Sequence, residues 1–328
     1  MNFDLVVNPP AFGDLAMVNA VSRSGKKLAC RILSRLEGVD YYQYVSSLEM
    51  VCFLSAMKKM DDTAAACFLR TAVDEAVYNR ALGRYLNTRR SDESSVLNAD
   101  DPDTYLTRVT EDDTEALLGR FQQERRLSLF HVHSVLAVAP LLARTFPDMR
   151  VVHIHRHPVD LADDWFRRGW GTRIGTDPLA FDFLIDSGAG TAPWFAADWA
   201  DGYATMSPEA RCVRSILSLQ EMDAAGLAIL RSAAPDRLLE ISFEDLIGDT
   251  ETTIDRFCNF FGRNRTAGMS ALLEAESCPA DIDHKARQNN FERLRAGCGA
   301  DVLQALSEAA ARYEKSWGAG AAPRSSKP

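Results

Sequence analysis

The stretch that most constrains the fold runs from Ala16 to Leu33, AMVNAVSRSGKKLACRIL. Small and apolar residues from Ala16 to Val21 read as a short buried strand. Leu28, Ala29, Ile32 and Leu33 then recur at helical spacing. Between them lies Ser22-Arg23-Ser24-Gly25-Lys26-Lys27, a tight basic turn with one glycine. Strand, turn and helix start form the layout of a phosphate-cradling loop. The first N–H groups of a helix have no partner inside it, and the helix dipole is positive there. Gly25 lets the backbone approach an anion closely, and Arg23, Lys26 and Lys27 add full charges. The same turn also reads as an ordinary solvated connection. It departs from the loop that binds nucleoside triphosphates, which needs glycine where Ala20 stands and a magnesium-binding Ser or Thr where Lys27 stands. A cation in that last position fits an anionic cofactor used without metal.

The chain has 328 residues, 46% hydrophobic and 25% charged, enough for one large globular domain or two small ones. A net charge of −9 argues against general nucleic-acid binding, which needs a basic face. No window approaches the roughly 18–20 apolar residues of a membrane span. The start, MNFDLVVNPP, lacks the basic and apolar regions of a signal peptide. The 7 cysteines are odd in number and contain no CxxC pair, so reduced thiols and a cytoplasmic location are expected.

Helices are expected over 44–60, 62–88, 111–120, 209–232, 251–261, 267–276 and 300–315, and strands over 127–134, 150–155 and 237–242. A further helix starts near Pro158, where the missing N–H costs little. Alternating strands and helices indicate a parallel α/β sheet. Residues 166–207 read as loops and short helices. Their aromatic residues Trp170, Trp194, Phe195 and Trp199, with Trp165 just before, fill a cap core or line an apolar or sugar-binding pocket. The tail from Gly318 reads as disordered, leaving a single domain over 1–317.

Three pieces line up in order: the loop SRSGKKL, the strand followed by Arg156-x-Pro-x-Asp160, and the strand followed by Phe243-Glu244-Asp245-Leu246 with a later FFG. This set resembles the cytosolic-type and bacterial sulfotransferases that use 3′-phosphoadenosine 5′-phosphosulfate. The resemblance spans roughly residues 15–262. It implies a three-layer α/β sandwich of the P-loop nucleotide-binding type, with a parallel sheet flanked by helices. It also implies that Arg23, Ser24, Gly25, Lys26, Lys27 and Leu28 hold the phosphosulfate end of the donor, without metal. Lys26 and Lys27 replace the usual Thr or Ser and would offset charge on the leaving oxygen. Arg156 would grip the 3′-phosphate, and Phe243 would pack near the adenine. Two positions depart from the family. Asp164 stands where a serine usually meets the 3′-phosphate, and a carboxylate there would repel it by about 1 kcal/mol or more. Lys285 and Arg287 stand in for an unclean basic loop. The family's dimerisation segment is not recognisable.

Five of the 6 histidines fall between 131 and 157. His131 and His133 share one strand face, and His153, His155 and His157 share one of theirs. Imidazoles so clustered read as a metal site or as hydrogen-bonded core histidines. The resemblance points to His133 as catalytic base, taking the proton of an acceptor hydroxyl or amine, with His131 as fallback. Glu49 is a further candidate, with helical surface charge as its ordinary role. The acceptor would be a small molecule or a glycan. Two alternatives remain open at this point: a small-molecule kinase using Lys26 with Asp160 or Asp164 near magnesium, and a non-catalytic binding protein of the same fold.

Overall fold

The computed structural model describes residues 4–318. The tail expected from Gly318 onward lies, after that residue, outside the described residues. The chain forms two compact units, one of Met1–Ile154 with Met222–Asp281 and one of His155–Glu221 with Ile282–Pro328.

Seven strands are present: β1 (Leu15–Ala20), β2 (Gln43–Tyr44), β3 (Ser128–His133), β4 (Arg150–His155), β5 (Leu184–Asp186), β6 (Thr191–Pro193) and β7 (Leu238–Ser242). The first unit is built on a five-stranded sheet of order β2-β3-β1-β4-β7. β1 runs parallel to both β3 and β4, and β2 runs parallel to β3. All 6 residues of β1 are buried. A central parallel strand is covered on both faces, so it reads as a continuous apolar run rather than an alternation. The register sets Ala20 beside His133 and Asn19 beside His153.

Helix α1 (Lys26–Leu33) follows β1 and buries Ala29, Cys30, Ile32 and Leu33. These side chains join Val18, Leu129, Val152 and Phe257 in one core. Helix α2 (Ser46–Ala56) buries Leu48, Val51, Cys52 and Phe53. Helix α3 (Asp62–Ala81) starts at Asp61, whose side chain accepts the N–H groups of Thr63 and Ala64. It stops short of the expected residue 88. Gly83 adopts φ +70 there, and a Cβ on it would lie 2.7 Å from the Arg108 carbonyl carbon, so the turn requires glycine. The helix expected over 111–120 forms at Thr114–Gln123, because Asp113 rather than an earlier residue caps it.

The second unit starts from the helix Pro158–Arg167, with Pro158 in its first turn and the His157 ring accepting the Val159 N–H. β5 and β6 pair antiparallel. Trp165, Trp194 and Phe195 are buried, and Trp165 packs edge-on against Trp170 at 4.9 Å. The segment HKARQNNFERLR is itself a helix, His284–Arg295. Its sequence carries no apolar stripe. Its Arg287 and Arg293 hold Asp160 and Asp163 of Pro158–Arg167 at 2.9 and 2.6 Å.

Candidate active site

The loop between β1 and α1 turns on two left-handed residues, Arg23 at φ 76 and Gly25 at φ 87. Gly25 is the N-cap of α1, with no side chain capping the helix start and no acidic residue in its first turn. The leading amides of the helix therefore face an end of positive potential. Ser24 is buried, Arg23 exposed, and Leu28 is packed against the core. The Phe243 ring lies over Gly25: an added Cβ would sit 2.9 Å from its Cε2 and nearer still to Cδ2.

The two lysines of the loop diverge. Lys27 is exposed and pairs with Glu93 at 3.3 Å. Lys26 is buried, and its Nζ donates to the Ala20 carbonyl at 2.6 Å. Burial brings its pKa down to about 7, against the opposing pull of Glu49 and Asp223.

Glu49 is not a solvated helix charge. It is 3% exposed. Its Oε1 accepts the His133 backbone N–H at 2.6 Å and faces His133 Nδ1 at 2.7 Å. Its Oε2 accepts the Tyr44 hydroxyl at 3.0 Å. With Glu49 ionised, an oxygen already accepting an amide N–H calls for a second donor, a geometry that suits a ring proton on Nδ1 and a lone pair on Nε2. Burial, with the Lys26 charge second, holds His133 well below the ordinary imidazole range, so the ring is neutral at neutral pH. Burial likewise raises Glu49 to about 7, partly offset by Lys26. His131 is buried between the rings of Tyr42, Tyr44 and His133.

A second buried network lies on β1. Asn19 Nδ2 donates to Asp223 Oδ1 at 3.1 Å and meets His153 Nδ1 at the same distance, while its Oδ1 accepts the Val135 N–H at 2.9 Å. Burial raises Asp223 to about 7. Sequence reasoning passed over Asn19 and Asp223. The signal was a lone polar residue in an apolar strand, and an aspartate four residues before Leu227 on an otherwise apolar helical stripe.

Arg156, Asp164 and Arg287 belong to the second unit. The Arg156 carbonyl accepts from Gln220 at 3.0 Å. Asp164 accepts from Arg168 Nε at 3.2 Å, an i,i+4 pair that offsets its charge. Arg287 is bound to Asp160. His155 stacks on Trp317 at 4.6 Å and His157 lies against Tyr313 at 5.2 Å. Among the described residues no group of three His, Cys, Asp or Glu side chains is placed to hold a metal ion, and no helix is long and apolar enough to cross a membrane.

A sequence profile described as "Sulfotransferase family" matches residues 17–267. The chain belongs to the sulfotransferase family. No curated protein matches it. Among solved structures, this sulfotransferase is similar to the sulfotransferase domain of the curacin biosynthetic pathway, at 11% identity and a TM-score of 0.46, covering 92% of this chain and 98% of that one. A sulfotransferase from Alicyclobacillus acidocaldarius matches at 14% identity and a TM-score of 0.37, over 91% and 96% of the two chains. Retinol dehydratase, crystallised with retinol and PAP, matches at 12% and 0.35, over 94% and 84%. The parallel sheet flanked by helices is the α/β fold expected of a sulfotransferase, and sulfuryl transfer is the chemistry of the family.

Proposed function

We propose that this sulfotransferase moves a sulfuryl group from 3′-phosphoadenosine 5′-phosphosulfate to a hydroxyl of a small-molecule acceptor, with His133 as general base. The observation that carries this reading is the Glu49 oxygen set against both the backbone N–H and the Nδ1 of His133, a geometry that favours Nε2 as the proton acceptor.

The donor supplies an activated sulfur atom whose bond to a phosphate oxygen is the one that breaks. The residues at the loop fit such an anion: a glycine cap, free of acidic neighbours in the first turn, at the start of an eight-residue helix. The amides of Lys26, Lys27 and Leu28, with the Arg23 charge, would bind the phosphosulfate end. Lys26 would offset the charge appearing on the leaving oxygen, and a bound anion raises its pKa so that it stays charged at neutral pH. The Lys27 side chain, held by Glu93, would act at longer range. His133 Nε2 takes the hydroxyl proton as the acceptor oxygen bonds to sulfur. Arg156 would hold the 3′-phosphate, Phe243 would pack near the adenine, and Arg287, ion-paired with Asp160, would add its charge at longer range. Arg168 offsets the Asp164 charge, which weakens the repulsion a carboxylate there would otherwise exert.

The test is transfer of radiosulfur from labelled donor to a pool of hydroxylated small molecules, with wild type and His133→Ala. Labelled product that depends on His133 is expected. Label transfer undiminished in the variant would overturn the assignment of the base.

A further inference from the structure

We propose that the groove along the β2 edge of the first unit is the acceptor subsite and that it takes a polyhydroxylated, saccharide-like molecule. The inference rests on the proposed function for the reaction, not for the binding.

The groove has a volume of about 560 Å³, within the range of roughly 300–1,000 Å³ usual for small-molecule sites. One wall is a stripe of α3, Ala72, Glu75, Ala76 and Asn79, at spacings that share one helix face. The two alanines leave the room, and Glu75 and Asn79 supply the polar groups. The other wall is the run from Tyr42 to Ser47. Tyr44 joins the groove to the chemistry. It lines the groove, its hydroxyl donates to Glu49, and its ring lies 5.8 Å from the His133 ring.

The lining selects the ligand. Among the lining residues, Gln43 Nε2 is buried and has no hydrogen-bond partner among the described residues. A buried polar atom in this state costs free energy until something pairs with it. A steroid-like or simple phenolic acceptor would leave it and the Asn79 amide unmatched, whereas a molecule bearing several hydroxyls can both donate and accept. A polyanionic acceptor fits poorly. Glu75 and Asp92 face it, while the Arg80 guanidinium is spent on the Tyr41 and Tyr42 carbonyls and Arg84 lies over the Tyr78 ring. Tyr85, 90% exposed at the rim, offers a flat face to the C–H side of a sugar ring.

The test is binding, read by saturation-transfer NMR on the full chain. The probes are a panel of neutral di- and trisaccharides with 4-nitrophenol as the apolar comparator. The proteins are wild type, Tyr85→Ala and Asn79→Leu. Adenosine 3′,5′-bisphosphate affinity is measured in parallel. The expected result is a saccharide that binds wild type and loses about fivefold or more in affinity in Tyr85→Ala and Asn79→Leu, with bisphosphate affinity unchanged. Tyr85 is so exposed that its variant does not put folding at stake. Saccharide binding that responds in this way when the bisphosphate does not bind supports the groove and instead overturns the donor. No saccharide binding, saccharide binding indifferent to both groove variants, or 4-nitrophenol as the only ligand would overturn the inference.

Discussion

The carboxylate of Glu49 meets His133 twice through one oxygen, at 2.6 Å from the backbone nitrogen and 2.7 Å from Nδ1. The backbone bond fixes where the carboxylate sits, and an ionised carboxylate there favours the ring proton on Nδ1. In the proposed reaction Glu49 is a positioning residue: it would act on the acceptor only through His133.

Glu49→Gln lowers kcat by about 10- to 100-fold, less than the roughly 10²- to 10⁴-fold loss expected for His133→Ala. A carboxamide can turn its NH2 toward Nδ1 and place the ring proton on Nε2, the wrong nitrogen. Donor KM stays unchanged, the acid limb of the pH profile moves, and Glu49→Asp restores part of the rate. Steady-state kinetics across pH check this. Unchanged profiles with a merely lowered melting temperature would assign Glu49 a structural role only.

Lys26→Met costs about 10²-fold or more in kcat, the loss typical of removing one group aimed at a developing charge. Lys27→Ala, an exposed residue in a surface ion pair, costs about twofold or less. Equal losses in single-turnover transfer would contradict the division of roles drawn from their burial.

The outline of the first unit was legible in the sequence because β1, α1 and β4 carry patterns that local periodicity can read. β4 ends where the apolar run RVVHIH ends, at His155. The two-residue strand β2 is too short to show an alternation, yet it places Tyr44 against His131 and His133. The helix His284–Arg295 was illegible for a different reason. Arginine pairs to aspartates far away in the chain hold it, and sequence periodicity does not register such partners. The loop and His133 could be picked out from residue type and order. The burial of Glu49 and its grip on His133 could not, because a glutamate in a helix ordinarily faces water.

Asp223 gives stability a pH dependence of definite sign. Its pKa rises from 3.8 to about 7 on burial, so between these values the folded chain binds more protons than the unfolded chain. The stability it contributes is therefore full at low pH and falls as pH rises toward neutrality. Asp223→Asn removes that slope. Urea titrations at about pH 4.5 and pH 7 should show wild type losing stability relative to the variant on going to the higher pH. A pH-independent difference would show that the carboxyl titrates normally.

Gly25→Ala combines a left-handed φ of 87 with a Cβ pressed into the Phe243 ring. Backbone strain alone costs about 1–2 kcal/mol. Donor affinity and thermal stability both fall, and Phe243→Leu in the same chain recovers part of the stability loss by giving the methyl room. Thermal melts with and without bisphosphate check it. Full donor affinity in Gly25→Ala would contradict the close approach of this backbone to the ligand.

The central claim is that the loop from Ser22 to Lys27 binds a phosphosulfate donor without metal. Calorimetric titration with adenosine 3′,5′-bisphosphate, then with magnesium-ATP, each repeated on Arg156→Ala, tests it most directly. The predicted result is micromolar bisphosphate binding, indifferent to magnesium and lost in the variant. Magnesium-dependent ATP binding without bisphosphate binding, or binding of neither, would contradict it.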